Sequence, residues 1–83
     1  MAKKIAWTVQ AKADLRSIDQ RTAIDILHVL ARFAQGGKAD VERLRDIDPP
    51  ECRLRVGDYR LRFRDFGDSI EILRVRNRKD AYR

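Results

Sequence analysis

From Cys52 to Arg64 the chain reads C-R-L-R-V-G-D-Y-R-L-R-F-R, with arginine alternating with apolar residues on both sides of Gly57-Asp58. Period-2 alternation is the pattern of a half-buried strand, and two such runs separated by Gly-Asp predict a β-hairpin on a two-residue type II′ turn, glycine first. That register places Val56 opposite Tyr59, Arg55 opposite Arg60, Leu54 opposite Leu61 and Arg53 opposite Arg62. Cys52, Leu54, Leu61 and Phe63 then share one face, predicted to be core. Arg53, Arg55, Arg60 and Arg62 share the other. Like charges directly opposite one another have Cβ atoms about 5 Å apart and destabilise the pairing. An external polyanion would offset this, because planar guanidinium forks hold phosphate oxygens two at a time. Protective charges on an edge strand are the competing reading; they predict mixed signs, and this face meets no acid before the outer pair of Glu51 and Arg64.

The rest of the chain predicts what covers the apolar face. Ile5, Trp7 and Val9 fall on one side of a first strand, with Trp7 as a core residue. Ala11, Leu15 and Ile18 recur at helical spacing, a short amphipathic helix. Ala23, Ile26, Leu27, Leu30, Phe33 and Ala34 form the stripe of a second helix, with Asp19 or Thr22 as N-cap and Gly36-Gly37 as its stop. Helices joined by so few residues form an antiparallel hairpin whose stripes need a sheet. Val41 to Leu44 is ambiguous, and Pro49-Pro50 breaks regular structure before the arginine hairpin. A last strand spans Ile70 to Val75, with apolar residues in both parities, as for a central strand covered on both faces. The expected fold is α+β, in the order β-α-α-β-β-β, with a helical hairpin on one face of a mostly antiparallel sheet.

Composition narrows the function. A chain of 83 residues is one domain, 1–83, burying roughly 60–65% of its surface. The formal net charge is +6, and ten of the 19 basic residues but six of the 13 acids lie after residue 50, an asymmetry that favours a nucleic acid or an acidic protein partner. A single cysteine, Cys52, excludes an internal disulfide and has no companions for a metal site; its parity makes it a small buried hydrophobe. No apolar run approaches the ~20 residues of a membrane span and no apolar signal segment follows Met1, so the expectation is a cytoplasmic protein without membrane contact. The lone histidine, His28, falls on the solvent side of the second helix, far in sequence from the arginines, and is not assigned to catalysis. Tyr59 shares the parity of Leu61 and Phe63, so core is favoured.

The chain ends on R-V-R-N-R-K-D-A-Y-R, a basic stretch from Arg74 to Arg83 around one tyrosine. Guanidinium groups favour the phenolate of a neighbouring tyrosine, and such a phenolate could take the proton of a ribose 2′-OH. Spacing alone leaves Tyr82 open between that role and a stacking or packing aromatic.

The ordered pair R-L-R-V-G-D-Y-R (Arg53 to Arg60) and V-R-N-R-K-D-A-Y (Val75 to Tyr82), behind a first strand and two helices, resembles the RelE/ParE toxin superfamily, and its RelE-type branch more than its ParE branch. The resemblance covers nearly the whole chain. It implies a RelE/ParE-like fold and a toxin of a type II toxin–antitoxin pair. RelE-type members are ribosome-dependent mRNA endonucleases that need no metal or small-molecule cofactor; ParE-type members inhibit DNA gyrase. The family reaction is attack of a ribose 2′-OH on the adjacent phosphorus. The resemblance then implies Tyr82 as base, Arg60 and Arg78 as stabilisers of the developing charge, with Arg55 beside them. Arg53, Arg62, Arg74, Arg76 and Lys79 are the expected contacts to mRNA and rRNA phosphates.

Three function classes follow: an mRNA interferase acting on the ribosome, a gyrase-inhibiting toxin, and a non-catalytic RNA-binding module, for which the arginine face alone suffices. The joint presence of Arg60, Arg78 and Tyr82 favours the first. The expected partners are the ribosome, mRNA and a cognate antitoxin whose acidic helical segment covers Arg53, Arg55, Arg60 and Arg78 or displaces Tyr82.

Overall fold

The computed structural model describes residues 2–45 and 48–81. In chain order the elements are β1 (Lys4–Trp7), α1 (Val9–Arg16), α2 (Gln20–Ala34), β2 (Asp40–Arg45), β3 (Glu51–Val56), β4 (Tyr59–Asp65), β5 (Ser69–Asn77) and α3 (Arg78–Ala81). One five-stranded sheet has the order β1-β5-β4-β3-β2, with β1 parallel to β5 and every other pairing antiparallel. The α+β class holds, and the segment that the sequence left ambiguous forms β2, the edge next to β3.

The arginine hairpin forms in the expected register: Arg55 opposes Arg60, Leu54 opposes Leu61 and Arg53 opposes Arg62. Gly57 has φ +56°, and Asp58 stays at negative φ, the sign pattern a type II′ turn requires. Leu54, Leu61, Phe63, Ile70 and Ile72 are fully buried, together with Ile26 and Leu30 of α2. Phe33 of α2 meets Phe63 with ring centroids 5.5 Å apart and planes tilted by 58°. That face is the core, each large side chain contributing about 1.5–3 kcal/mol by leaving water.

Three local expectations change. The first strand ends at Trp7, because Thr8 caps α1: its hydroxyl accepts from the Ala11 N–H at 3.1 Å and donates to the Ile72 carbonyl at 2.9 Å. Val9 therefore opens a helix and is 81% exposed, while Ile18 falls in the turn after α1. Asp19 is the N-cap of α2, accepting from the Thr22 N–H, and Gly36 at φ +88° follows its end. The two parities of β5 come from a bulge, not from cover on both faces. Phe63 pairs with Ile72 but Arg62 with Arg74, so Leu73 is extra, and Ile72 and Val75 both reach the core.

Candidate nucleic-acid interface

The sheet face away from the buried side chains carries the arginines, and β2 brings acids to it. Strand register sets Asp40 beside Arg55 and Glu42 beside Arg53. Arg53 donates to Glu42 at 2.7 Å, and Arg55 lies 3.7 Å from Asp40. Arg62 is bonded to the buried carboxylate of Glu51, and Arg64 lies 3.4 Å from Glu71. The expectation of a face without acids is therefore wrong: alternation within the hairpin was read correctly, but the neighbouring strand supplies counter-charges. The D-V-E pattern from Asp40 to Glu42 was the signal for it.

Charge remains uncompensated at the turn end of the sheet. Arg76 pairs in register with Arg60, which pairs with Arg55, so this row holds three arginines against Asp40 alone. Arg76, Arg78 and Lys79 are exposed and form no salt bridge among the described residues, although the charge of Arg76 helps to lower the Asp14 carboxyl. Arg78 and Lys79, with Asp58, Tyr59 and Asn77, line an open cleft of about 690 Å³. Two bonds shape it: the Arg78 N–H donates to the Asp58 carbonyl at 2.6 Å, and the Lys79 N–H donates to Asn77 Oδ1 at 3.0 Å. The first ties the end of β5 to the hairpin turn; the second starts α3.

Arg60, next in the chain to Tyr59 of the cleft wall, has only 7% of its surface exposed. Its Nη1 donates to the carbonyls of Gly57 and Tyr59, both at 3.0 Å, and its buried Nε has no partner. No carboxylate pairs with it among the described residues. A guanidinium with five donors, two carbonyl bonds and no counter-ion is a fixed positive charge that clamps the turn and projects its field outward.

Arg74 has a different environment. Its Nε donates to Asp14 of α1 at 2.8 Å, and the same carboxylate accepts from the Val75 N–H at 2.9 Å. Burial pushes the Asp14 carboxyl up, but the bonds from Arg74 and Val75 outweigh it and hold the group below its ordinary value. Asp14 in turn raises Arg74. The predicted phosphate contact at Arg74 thus carries an internal ion pair between helix and sheet, a partner no local pattern revealed.

The predicted site residues divide accordingly. Arg60, Arg76, Arg78 and Lys79 come together at the turn end; Arg53, Arg55 and Arg62 continue the same face but are paired with acids. Tyr82 lies outside the described residues. Asp58 and Asn77 were not singled out from sequence, since a turn aspartate and a strand-end asparagine have ordinary structural reasons to be there. Tyr59 packs against the core as expected, yet is half-buried and lines the cleft. Cys52 is buried, and burial pushes its thiol up, as for an inert core residue. His28 is exposed on α2 beside a separate groove of about 420 Å³. Among the described residues no group of three potential metal ligands occurs, and no helix is long and apolar enough to cross a membrane.

Comparison with known proteins gives a consistent picture. The family profile of the ParE toxin of type II toxin–antitoxin systems, parDE, matches residues 5–82. No curated protein matches the chain. The fold is similar to a chain in the RelB–RelE antitoxin–toxin complex from Methanococcus jannaschii, with TM-score 0.76 and 22% identity over 93% of this chain and 94% of that one. The toxin–antitoxin complex RelBE2 from Mycobacterium tuberculosis gives TM-score 0.76 and 22% identity over 93% and 99% of the two chains. The archaeal RelE–RelB complex from Pyrococcus horikoshii gives 0.73 and 22% over 94% and 97%.

Proposed function

This chain belongs to the ParE toxin family of type II toxin–antitoxin systems, and from that premise we propose that it inhibits translation as a ribosome-dependent mRNA endonuclease. The observation that carries this reading is the cleft at the turn end of the sheet, where Arg78 and Lys79 form no salt bridge among the described residues and the buried Arg60, bonded to the Gly57 and Tyr59 carbonyls of the same turn, adds a third charge. Such a site suits a phosphodiester whose phosphorus gains negative charge as the 2′-oxygen attacks.

In this mechanism Tyr82 takes the proton of the ribose 2′-OH, and the 2′-oxygen bonds to the adjacent phosphorus. Arg78 contacts the phosphorane oxygens, and Arg60 stabilises them through its field from the turn. The bond from phosphorus to the 5′-oxygen breaks, leaving a 2′,3′-cyclic phosphate. Lys79, unlike an arginine, can give up a proton to the departing 5′-oxygen. The nucleophile belongs to the substrate, so the reaction needs no metal or other cofactor. Arg76 holds the flanking backbone; Arg53, Arg55 and Arg62 reach mRNA or rRNA phosphates only by exchanging their acidic partners. The solved structures of similar fold are toxin–antitoxin complexes, which supports an antitoxin partner for this chain; an acidic segment of such a partner would complement Arg76, Arg78 and Lys79 by charge.

The test is mRNA cleavage in a purified translation system, with and without ribosomes, by wild type, Arg78→Ala and Tyr82→Phe. Cleavage that requires ribosomes and falls by about two orders of magnitude or more in both variants supports the reading. The name of the matched family favours a second target, DNA gyrase. Intact message together with gyrase inhibition that survives Tyr82→Phe would replace the first reading with that one.

A further inference from the structure

The cleft holds more chemistry than phosphate binding uses. Beside its two cations it presents an aromatic ring, and a carboxylate and an amide donor that make no bond among the described residues, and we propose that these form a nucleobase subsite selective for guanine in single-stranded RNA. The proposal deepens the RNA reading above and rests on it.

Tyr59 supplies the platform. Its parity is that of the core, yet it lines the 690 Å³ cleft and two adjoining depressions: one of about 270 Å³ beside Asp14, Ile18 and Asn77, the other of about 290 Å³ beside Thr22 and Asp25. The half-buried side chain is thus held by packing and still reached from solvent on several sides. Fixed aromatic rings of this kind stack unpaired RNA bases with little loss of side-chain freedom. The main cleft falls inside the range of about 300–1,000 Å³ of small-molecule sites.

Asn77 stands directly across from Tyr59 on the neighbouring strand, and both line the cleft. Because Asn77 Oδ1 already accepts from the Lys79 N–H, the Nδ2 donors are what the amide has left to offer a ligand. The Asp58 carboxylate, at the turn, has no ion pair or hydrogen bond to its side chain within the described residues, while its own carbonyl is fixed by the Arg78 N–H. The cleft wall therefore offers two acceptor oxygens and an amide donor around one ring.

Only one base edge complements that set. Guanine presents N1–H and N2–H₂ side by side with the acceptor O6, so a carboxylate takes both donors while the amide donates to O6. Adenine and cytosine put a ring-nitrogen lone pair against the carboxylate. Uracil has one donor between two carbonyl oxygens, and the second carboxylate oxygen would meet one of them. Arg78 and Lys79 then hold the phosphates on either side of the selected base.

The experiment is fluorescence anisotropy of labelled uridine hexamers carrying one central guanine, adenine, cytosine or uracil, with the isolated full chain. Wild type should bind the guanine hexamer about tenfold more tightly than the others, the order expected for a two-bond edge contact. Asp58→Asn should bring that ratio within about twofold, with Asp58→Ser as a second variant the turn accepts. Tyr59→Phe should keep the preference, and Tyr59→Leu should weaken binding of every hexamer. Circular dichroism confirms that each variant is folded. A wild-type ratio near one, a preference that survives both Asp58 substitutions, or no binding to any hexamer overturns the subsite. Guanine preference without cleavage on ribosomes keeps the subsite and removes the nuclease reading; cleavage without base preference does the reverse.

Discussion

Arg53 and Glu42 sit opposite each other on β3 and β2, with Arg53 Nη2 donating to Glu42 Oε2 at 2.7 Å. One register step along, Arg55 and Asp40 repeat the relationship at 3.7 Å. Both acids are largely exposed, at 60% and 66%, so water screens the pairs and each is weak. On the proposed RNA reading their effect on binding should exceed their effect on stability, because an incoming phosphate would have to displace a carboxylate already in place.

Neutralising those acids should therefore tighten RNA binding. Wild type, contacting phosphates through Arg76, Arg78 and Lys79, should show a slope of log K against log salt of about −2 with single strands. The Asp40→Asn, Glu42→Gln double variant removes the carboxylates that face Arg55 and Arg53 across β2, and its slope should steepen toward about −3.5. Equal slopes in an anisotropy titration would show that these arginines never reach RNA.

Arg60 should prove structural and functional at once. Removing it in Arg60→Ala leaves the Gly57 and Tyr59 carbonyls without their shared donor, a loss of about 1–3 kcal/mol in urea unfolding. Cleavage on ribosomes should fall at least about tenfold, since the charge at the turn goes with it. An unchanged unfolding midpoint would remove the turn-clamp role.

Acid should weaken the fold through Asp14 and Asp65. Burial raises the Asp65 carboxyl, but bonds from Lys3 and the Gly67 N–H hold it, like Asp14, below the ordinary value of 3.8. A carboxyl depressed in the folded state adds stability that is complete above the unfolded value and is lost as pH falls through the lower folded one. Thermal melts should therefore drop below about pH 4, and Asp14→Asn, already lacking its share, should drop less steeply. At neutral pH that variant should lose about 1–2 kcal/mol, the helix-to-sheet link being screened at the part-exposed Arg74.

At Gly57 nothing lies within 4 Å of an added Cβ, so a substitution there meets only its own backbone. The φ of +56° disfavours any L side chain, and Gly57→Ala should cost about 1 kcal/mol in melting experiments. A loss much larger than that would mean the turn rearranges and carries the cleft with it.

Charge reversal at the cleft should weaken antitoxin binding more than reversal on the paired strand. Arg78→Glu should lose roughly tenfold or more in affinity for the antitoxin, and Arg53→Glu clearly less, because Arg53 is already met by Glu42. Equal losses in isothermal titration would argue that the antitoxin displaces the acids of β2.

The hairpin was legible because period-2 alternation and a Gly-Asp turn specify register by themselves, and Arg55 against Arg60 followed without further information. The helices were legible from their stripes, with the cap of the second left between Asp19 and Thr22 and the first carried past its end to Ile18. The acids of β2 were not, since Val41 to Leu44 is short and its pairing with β3 depends on the intervening chain folding back. Asp14 with Arg74, 60 residues apart, had no local signature at all. Nor did the bulge at Leu73, which a strict alternation rule turned into a strand covered on both faces.

Local chemistry in the sequence thus determined the two long helices, the arginine hairpin with its apolar face, and the cationic character of its other face, because those depend on neighbours one to four residues away. Which arginines are already paired, which one is buried, and which cations around the Tyr59 cleft form no salt bridge among the described residues was decided only by the tertiary structure. Charges act through space, and only the folded sheet fixes the distance from each guanidinium to its nearest carboxylate.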